Sequence, residues 1–84
     1  MPEITIYTSE ICPYCIRAKK LLDTKHVHYT EIRVDLDTAQ REIMMNRSQR
    51  KTVPQIFIND FHVGGCDDLY ALEQKGKLDE LLNT

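Results

Sequence analysis

The chain has 84 residues, 42% of them hydrophobic and 29% charged, with eleven basic and thirteen acidic side chains and a net charge of -2. That length holds one domain, residues 1–84, with a radius of gyration of about 12 Å. The apolar content excludes a disordered chain, no apolar run reaches the roughly 20 residues of a membrane span, and the near-balanced charge argues against a nucleic-acid partner.

Glu3 to Thr8 alternates Ile4 and Ile6 with Thr5 and Tyr7, which predicts an inner strand with both faces covered. A helix is expected to start at the Cys12-Pro13 pair, because Pro at the first helical position has no N–H to leave unbonded. Its buried stripe would hold Cys15, Ala18 and Leu22, with Tyr14 and Leu21 a step round. Arg17, Lys19 and Lys20 would face out, the two lysines toward the negative end of the helix dipole. A second strand is expected within Lys25 to Asp35, regular from Tyr29 to Val34. Asp37 and Gln40 have capping-box spacing, so a helix comes next that buries Ile43, Met44 and Met45. Pro54 has no N–H for a ladder, so Thr52-Val53-Pro54 precedes a strand rather than lying inside it. The strand is Gln55 to Ile58. Asn59-Asp60 turns the chain, both residues tolerating positive φ, and Phe61 to Val63 returns antiparallel. Gly64-Gly65 allows a close backbone approach. A helix runs from Cys66-Asp67-Asp68 to about Lys75, stopped by Gly76, with Leu69 and Leu72 in the core, and Leu78 to Leu82 adds a last turn or two. The expected fold is α/β: a βαβ unit, a helix, a hairpin and a final helix, making a mixed four-stranded sheet with helices on both faces.

Three cysteines are few and odd in number, which points to a reducing, cytoplasmic setting rather than a disulfide-stapled secreted one. The start, Met1-Pro2-Glu3-Ile4, has no basic head and apolar stretch of a signal peptide. Cys12-Pro13-Tyr14-Cys15 is the informative pair. A zinc site would need four ligands, and only Cys66, His26, His28 and His62 are left to complete one, so no metal is expected. An inert pair of core thiols would sit in mid-helix or mid-strand. This pair comes after a strand and opens a helix, the placement of a redox site. The unbonded N–H groups of the helix start stabilise a thiolate on Cys12, making it the nucleophile, and Cys15 one turn on is the resolving thiol. Tyr14 either packs inward or forms a wall of the binding site. The wall is favoured, since Cys15 already takes the inward direction.

Taken together, Ile6-Tyr7-Thr8 with Cys12-Pro13-Tyr14-Cys15, Thr52 to Ile58, and Gly64-Gly65-Cys66-Asp67 resemble a dithiol glutaredoxin of the small bacterial type, over essentially the whole chain. The resemblance implies a thioredoxin-like fold and a cis Val53-Pro54 bond whose backbone pairs with the cysteine of glutathione. It also implies a clamp for the γ-glutamyl end of glutathione at Gly65, Cys66 and Asp67, with Tyr14 and Thr52 lining the groove. Asp67 could equally be a helix cap. Cys66 is either a small semi-buried hydrophobe or a thiol open to glutathionylation or dimerisation. Many relatives have a Lys where this chain has Ser9. The helix start must then carry more of the thiolate stabilisation, unless Arg17, Arg50 or Lys51 supplies charge; Arg50-Lys51 could also be a plain solvated turn. The implied activity is glutathione-dependent reduction of protein disulfides and of protein–glutathione mixed disulfides. Electrons would come from NADPH through glutathione reductase, ribonucleotide reductase would be among the substrates, and the protein would act as a monomer. The rival readings are a glutathione-ligated iron–sulfur scaffold and a thioredoxin-like reductant served by a flavoprotein reductase.

Overall fold

Two sets of apolar residues on the first strand explain the whole architecture. In the computed structural model, which describes residues 2–83, β1 (Ile4–Thr8) is buried along its full length. Side chains alternate across a strand. Ile4 and Ile6 therefore join one core with Ala18, Leu22, Ile56, Ile58, Leu69 and Leu78, while Tyr7 joins a second with Val34, Met44 and Phe57. A strand with apolar residues on both faces must lie between helical layers.

The layers are built in chain order. The helix α1 (Pro13–Thr24) leads to β2 (Thr30–Arg33), which pairs parallel with β1. Helix α2 (Thr38–Ser48) leads to β3 (Gln55–Ile58), antiparallel to β1, and then to β4 (Phe61–Gly64), antiparallel to β3. Helices α3 (Cys66–Gln74) and α4 (Lys77–Leu82) complete the described chain. The strand order is β2-β1-β3-β4, so the mixed four-stranded sheet is as expected. Ala18, Leu21 and Leu22 of α1 and the buried residues of α3 and α4 fill the first core, and Met44 of α2 fills the second, on the other face. The radius of gyration is 11.9 Å. No helix among the described residues is long and apolar enough to cross a membrane.

Several local expectations need correction. Tyr14 is not in the buried stripe of α1; the stripe is Cys15, Ala18, Leu21 and Leu22. The last turn of α1 carries no basic residue. Lys19 instead pairs with Glu31 of β2 at 3.0 Å, and the cation at the helix end is the C-cap Lys25. Lys25 reaches Glu73 at 2.7 Å and Asp79 at 2.9 Å, tying α1 to α3 and α4. Ile43 is exposed rather than buried, and Met44 alone of the α2 apolar residues is fully enclosed. Asp37 does cap α2, accepting from the Gln40 amide at 3.2 Å, but no bond returns from the Gln40 side chain among the described residues. The helix closes on Gln49 in the left-handed conformation, a position usually given to Gly. Of the two turn residues, Asn59 and Asp60, only Asn59 has positive φ. Its side chain also accepts from the Glu3 amide at 2.9 Å, fastening the turn to the start of β1.

The β3–β4 register slips by one residue: Phe57 pairs with His62 and Ile56 with Gly64, leaving Val63 as the extra residue of β4. A bulge of this kind bends a strand and re-aims the chain beyond it. The next residue is Gly64, at φ +116, where a side chain would collide with the Asp68 carboxylate. Only glycine adopts that backbone without strain. Gly64→Ala is expected to destabilise the fold by about 2–4 kcal/mol, read as a lowered urea midpoint at unchanged slope.

Candidate active site

Cys12 is the N-cap of α1, as expected, with Pro13 opening the helix. The Cys15 amide donates to the Cys12 sulfur at 3.1 Å. This is one of the N–H groups a helix start leaves without an intrahelical partner, and it favours negative charge on the sulfur. Cys12 and Cys15 are joined as a disulfide, their Cα atoms 5.1 Å apart. The two cysteines are not equivalent in access: Cys12 is 8% exposed and Cys15 only 1%. The spacing places Cys15 on the core side of the first helical turn and leaves Cys12, though also buried, the more open of the two.

The second wall comes from the chain before β3. The Val53-Pro54 peptide bond is cis. The Cys12 sulfur lies 3.8 Å from the Val53 carbonyl oxygen. Beyond it runs an open groove of about 200 Å³, lined by Tyr14, Thr52, Val53, Pro54, Gly65, Cys66 and Asp67, together with Arg50, Gln55 and Asp68. The fold thus gathers all seven residues expected to bind a ligand. They come from the start of α1, the α2–β3 connection and the start of α3, which are remote in sequence. Tyr14 is 55% exposed and serves as a wall.

The third wall is the turn into α3. Gly65 is the N-cap, and the Asp68 side chain reaches back to accept from its amide at 2.9 Å. Asp67 is therefore not the cap. Asp68 does that work, and Asp67 is exposed and able to face a ligand. Arg50 donates to the same Asp68 oxygen at 3.1 Å. The Gly65 amide first, and Arg50 with it, hold the Asp68 carboxyl below its usual range. Arg50 is thus part of the groove and not merely a solvated turn. Arg17 points elsewhere, over the Tyr70 ring at 5.6 Å.

Cys66 is a free, buried thiol at the start of α3, and burial raises its pKa. A thiol in that state is a poor nucleophile beside Cys12. Among the described residues no group of three or more His, Cys, Asp or Glu side chains is placed to hold a metal.

Sequence reasoning did not find Arg50 and Asp68 as a pair, the buried Gln55, or the apolar rim of the site. The capping-box spacing from Gly65 to Asp68 was a usable signal for the first. Ile11 is 91% exposed and Ile16 60% exposed, flanking Cys12 in the chain with Tyr14 between them. Residues at N′ and N4 of a helix usually cover each other. Ile11 is left bare, so the rim offers apolar contact to whatever approaches the sulfur.

A family model described as Glutaredoxin matches residues 4–63. The chain is 57% identical over 82 residues to "Glutaredoxin 3" of Escherichia coli strain K12, covering 98% of this chain and 99% of that one. Among solved structures, a buckwheat glutaredoxin–glutathione complex superposes with a TM-score of 0.89 at 30% identity, over 98% of this chain and 77% of that one. A glutaredoxin from Brucella melitensis gives 0.85 at 55% identity, over 98% and 89%.

Proposed function

The chain belongs to the dithiol glutaredoxin family and is a glutathione-dependent thiol–disulfide oxidoreductase, and we propose that Cys12 is its nucleophile, Cys15 its resolving thiol, and the groove beside Val53-Pro54 its glutathione seat. One observation carries the assignment. The less buried cysteine of the pair is a helix N-cap, its sulfur bonded by the Cys15 amide and 3.8 Å from a carbonyl that lines the groove. That sulfur has both the donors that stabilise a thiolate and a place beside it for the partner sulfur.

On a protein–glutathione mixed disulfide, the Cys12 thiolate attacks the glutathione sulfur. A Cys12–glutathione disulfide forms, and the protein leaves as a thiolate that takes a proton from water. A second glutathione thiolate attacks the bound glutathione sulfur, releasing oxidised glutathione and the Cys12 thiolate. On a protein disulfide, Cys12 attacks one sulfur and Cys15 then attacks Cys12. The reduced protein leaves, and two glutathiones reduce the Cys12–Cys15 bond. NADPH and glutathione reductase restore the glutathione.

In the bound state the backbone of Val53 pairs with the cysteine of glutathione as a short strand. The amides at the start of α3 receive its γ-glutamyl carboxylate, the Asp67 side chain meets its α-amino group, and Tyr14 and Thr52 flank the tripeptide. Protein substrates rest on Ile11, Tyr14 and Ile16. They are proteins bearing a disulfide or a glutathione cap, ribonucleotide reductase being a candidate. The single domain works as a monomer, in a reducing compartment such as the cytoplasm.

Ser9 leaves the helix start as the main source of thiolate stabilisation, since Arg50 is engaged by Asp68 and Arg17 by Tyr70. Ser9→Lys is expected to lower the Cys12 thiol pKa by about 0.5–1 unit, measured by thiolate absorbance; no downward shift would refute this assignment of the site's charge. The activity itself is tested by a coupled assay with glutathione, glutathione reductase and NADPH on a glutathionylated peptide. Turnover that needs both glutathione and this chain supports the assignment, and its absence overturns it.

A further inference from the structure

Gln55 opens β3 and is fully buried, although nothing about the sheet requires an amide there. Burying an amide is costly unless its groups are bonded. Here they are, and the bonds lead in one direction. The Gln55 Nε2 donates to the Thr52 carbonyl at 2.9 Å and to the Thr52 hydroxyl at 3.3 Å. A carbonyl oxygen only accepts, so the atom facing Thr52 is the amide nitrogen and the amide orientation is settled. The Gln55 Oε1 then faces His62, with 2.7 Å to Nε2. An amide oxygen also only accepts, so His62 must hold its proton on Nε2.

The His62 ring is itself held. It stacks on Phe57 at 4.8 Å with 26° between the planes. Phe57 meets Tyr7 edge-on and has the Arg47 guanidinium 3.9 Å above its ring. The chain of contacts therefore runs from a packed aromatic cluster, through His62 and Gln55, to the backbone of Thr52. That backbone is one residue from the carbonyl that borders the Cys12 sulfur.

We propose that Gln55, oriented by His62, is a positioning residue that holds the Thr52–Val53 backbone in the geometry that receives glutathione. The role rests on the groove being the glutathione seat. Gln55 touches neither sulfur, so its loss should weaken binding of the glutathionyl group and leave the chemistry of Cys12 alone.

Three readouts on the full chain test this, with wild type beside Gln55→Leu and His62→Phe. Leucine fills the amide's space without its bonds. Phenylalanine keeps the stack on Phe57 and removes the donor to Gln55. The substrate is a glutathionylated peptide, and a disulfide of similar size without glutathione is the control. Losing about one hydrogen bond's worth of ordering predicts a KM for the glutathionylated peptide about five- to tenfold higher in Gln55→Leu and about threefold higher in His62→Phe. The kcat and the rate of Cys12 alkylation by iodoacetamide should stay within about twofold. Nitrogen NMR of wild type should show neutral His62 protonated on Nε2, with that preference lost in Gln55→Leu. An unchanged KM in both variants overturns the proposal, as does a fall in kcat and alkylation without a rise in KM. If Gln55→Leu does not fold, His62→Phe and the wild-type tautomer decide. A wild type that does not prefer the glutathionylated peptide to the control defeats the glutathione seat itself, and is told apart by needing no variant.

Discussion

Cys12→Ser is expected to reduce turnover to the uncatalysed background, a loss of more than about 10³-fold. The reason lies in the attacking species. Disulfide exchange needs a thiolate, and a serine hydroxyl in the same position is not ionised at neutral pH and does not attack sulfur. Neither remaining cysteine replaces it. Cys15 is 1% exposed and faces the core, and Cys66 is buried with its pKa raised by burial. The fold should survive, because a serine at an N-cap accepts the Cys15 amide as well as a sulfur does. The check is the coupled glutathione assay on a glutathionylated peptide, together with a circular dichroism melt. A folded variant that keeps a tenth or more of wild-type activity would contradict the assignment.

Cys15→Ser is expected to split the two reactions. Reduction of a protein disulfide should fall by about 10²-fold, since the intermediate on Cys12 loses the thiol that resolves it from within the same helix turn. Removal of glutathione from a glutathionylated peptide should stay within about twofold of wild type, because there the resolving thiol comes from glutathione in solution. The amide of residue 15 is backbone and persists in the variant, so the donor to the Cys12 sulfur is kept. Parallel steady-state assays on the two substrates measure the split. Equal loss on both would mean that Cys15 is needed for every turnover.

Much of the fold was visible in the chain itself. The alternation of Ile4 and Ile6 with Tyr7 was enough to place β1 between two layers, because a strand with apolar residues on both sides has few other homes. Cys12-Pro13 announced a helix start, and the Asn59-Asp60 pair a hairpin. The misjudged positions depended on facts that a linear pattern does not carry. Ile43 is apolar and helical, but the helix face it occupies is set by how the helix docks. Asp67 and Asp68 are chemically alike, and only the position of the N-cap at Gly65 decides which one turns back. The polar contacts in and behind the groove were harder still. Gln55 and His62 are joined across the β3–β4 pair, and Arg50 meets Asp68 over a separation of eighteen residues.

Uptake of glutathione by Cys12 through the groove beside Val53-Pro54 is the central claim, and it is tested most directly by trapping. Cys15→Ser is incubated with oxidised glutathione, and the product is digested and sequenced by mass spectrometry. The predicted result is one glutathione per chain, on Cys12, removed by reduced glutathione. An unmodified Cys12, or an adduct confined to Cys66, would contradict it.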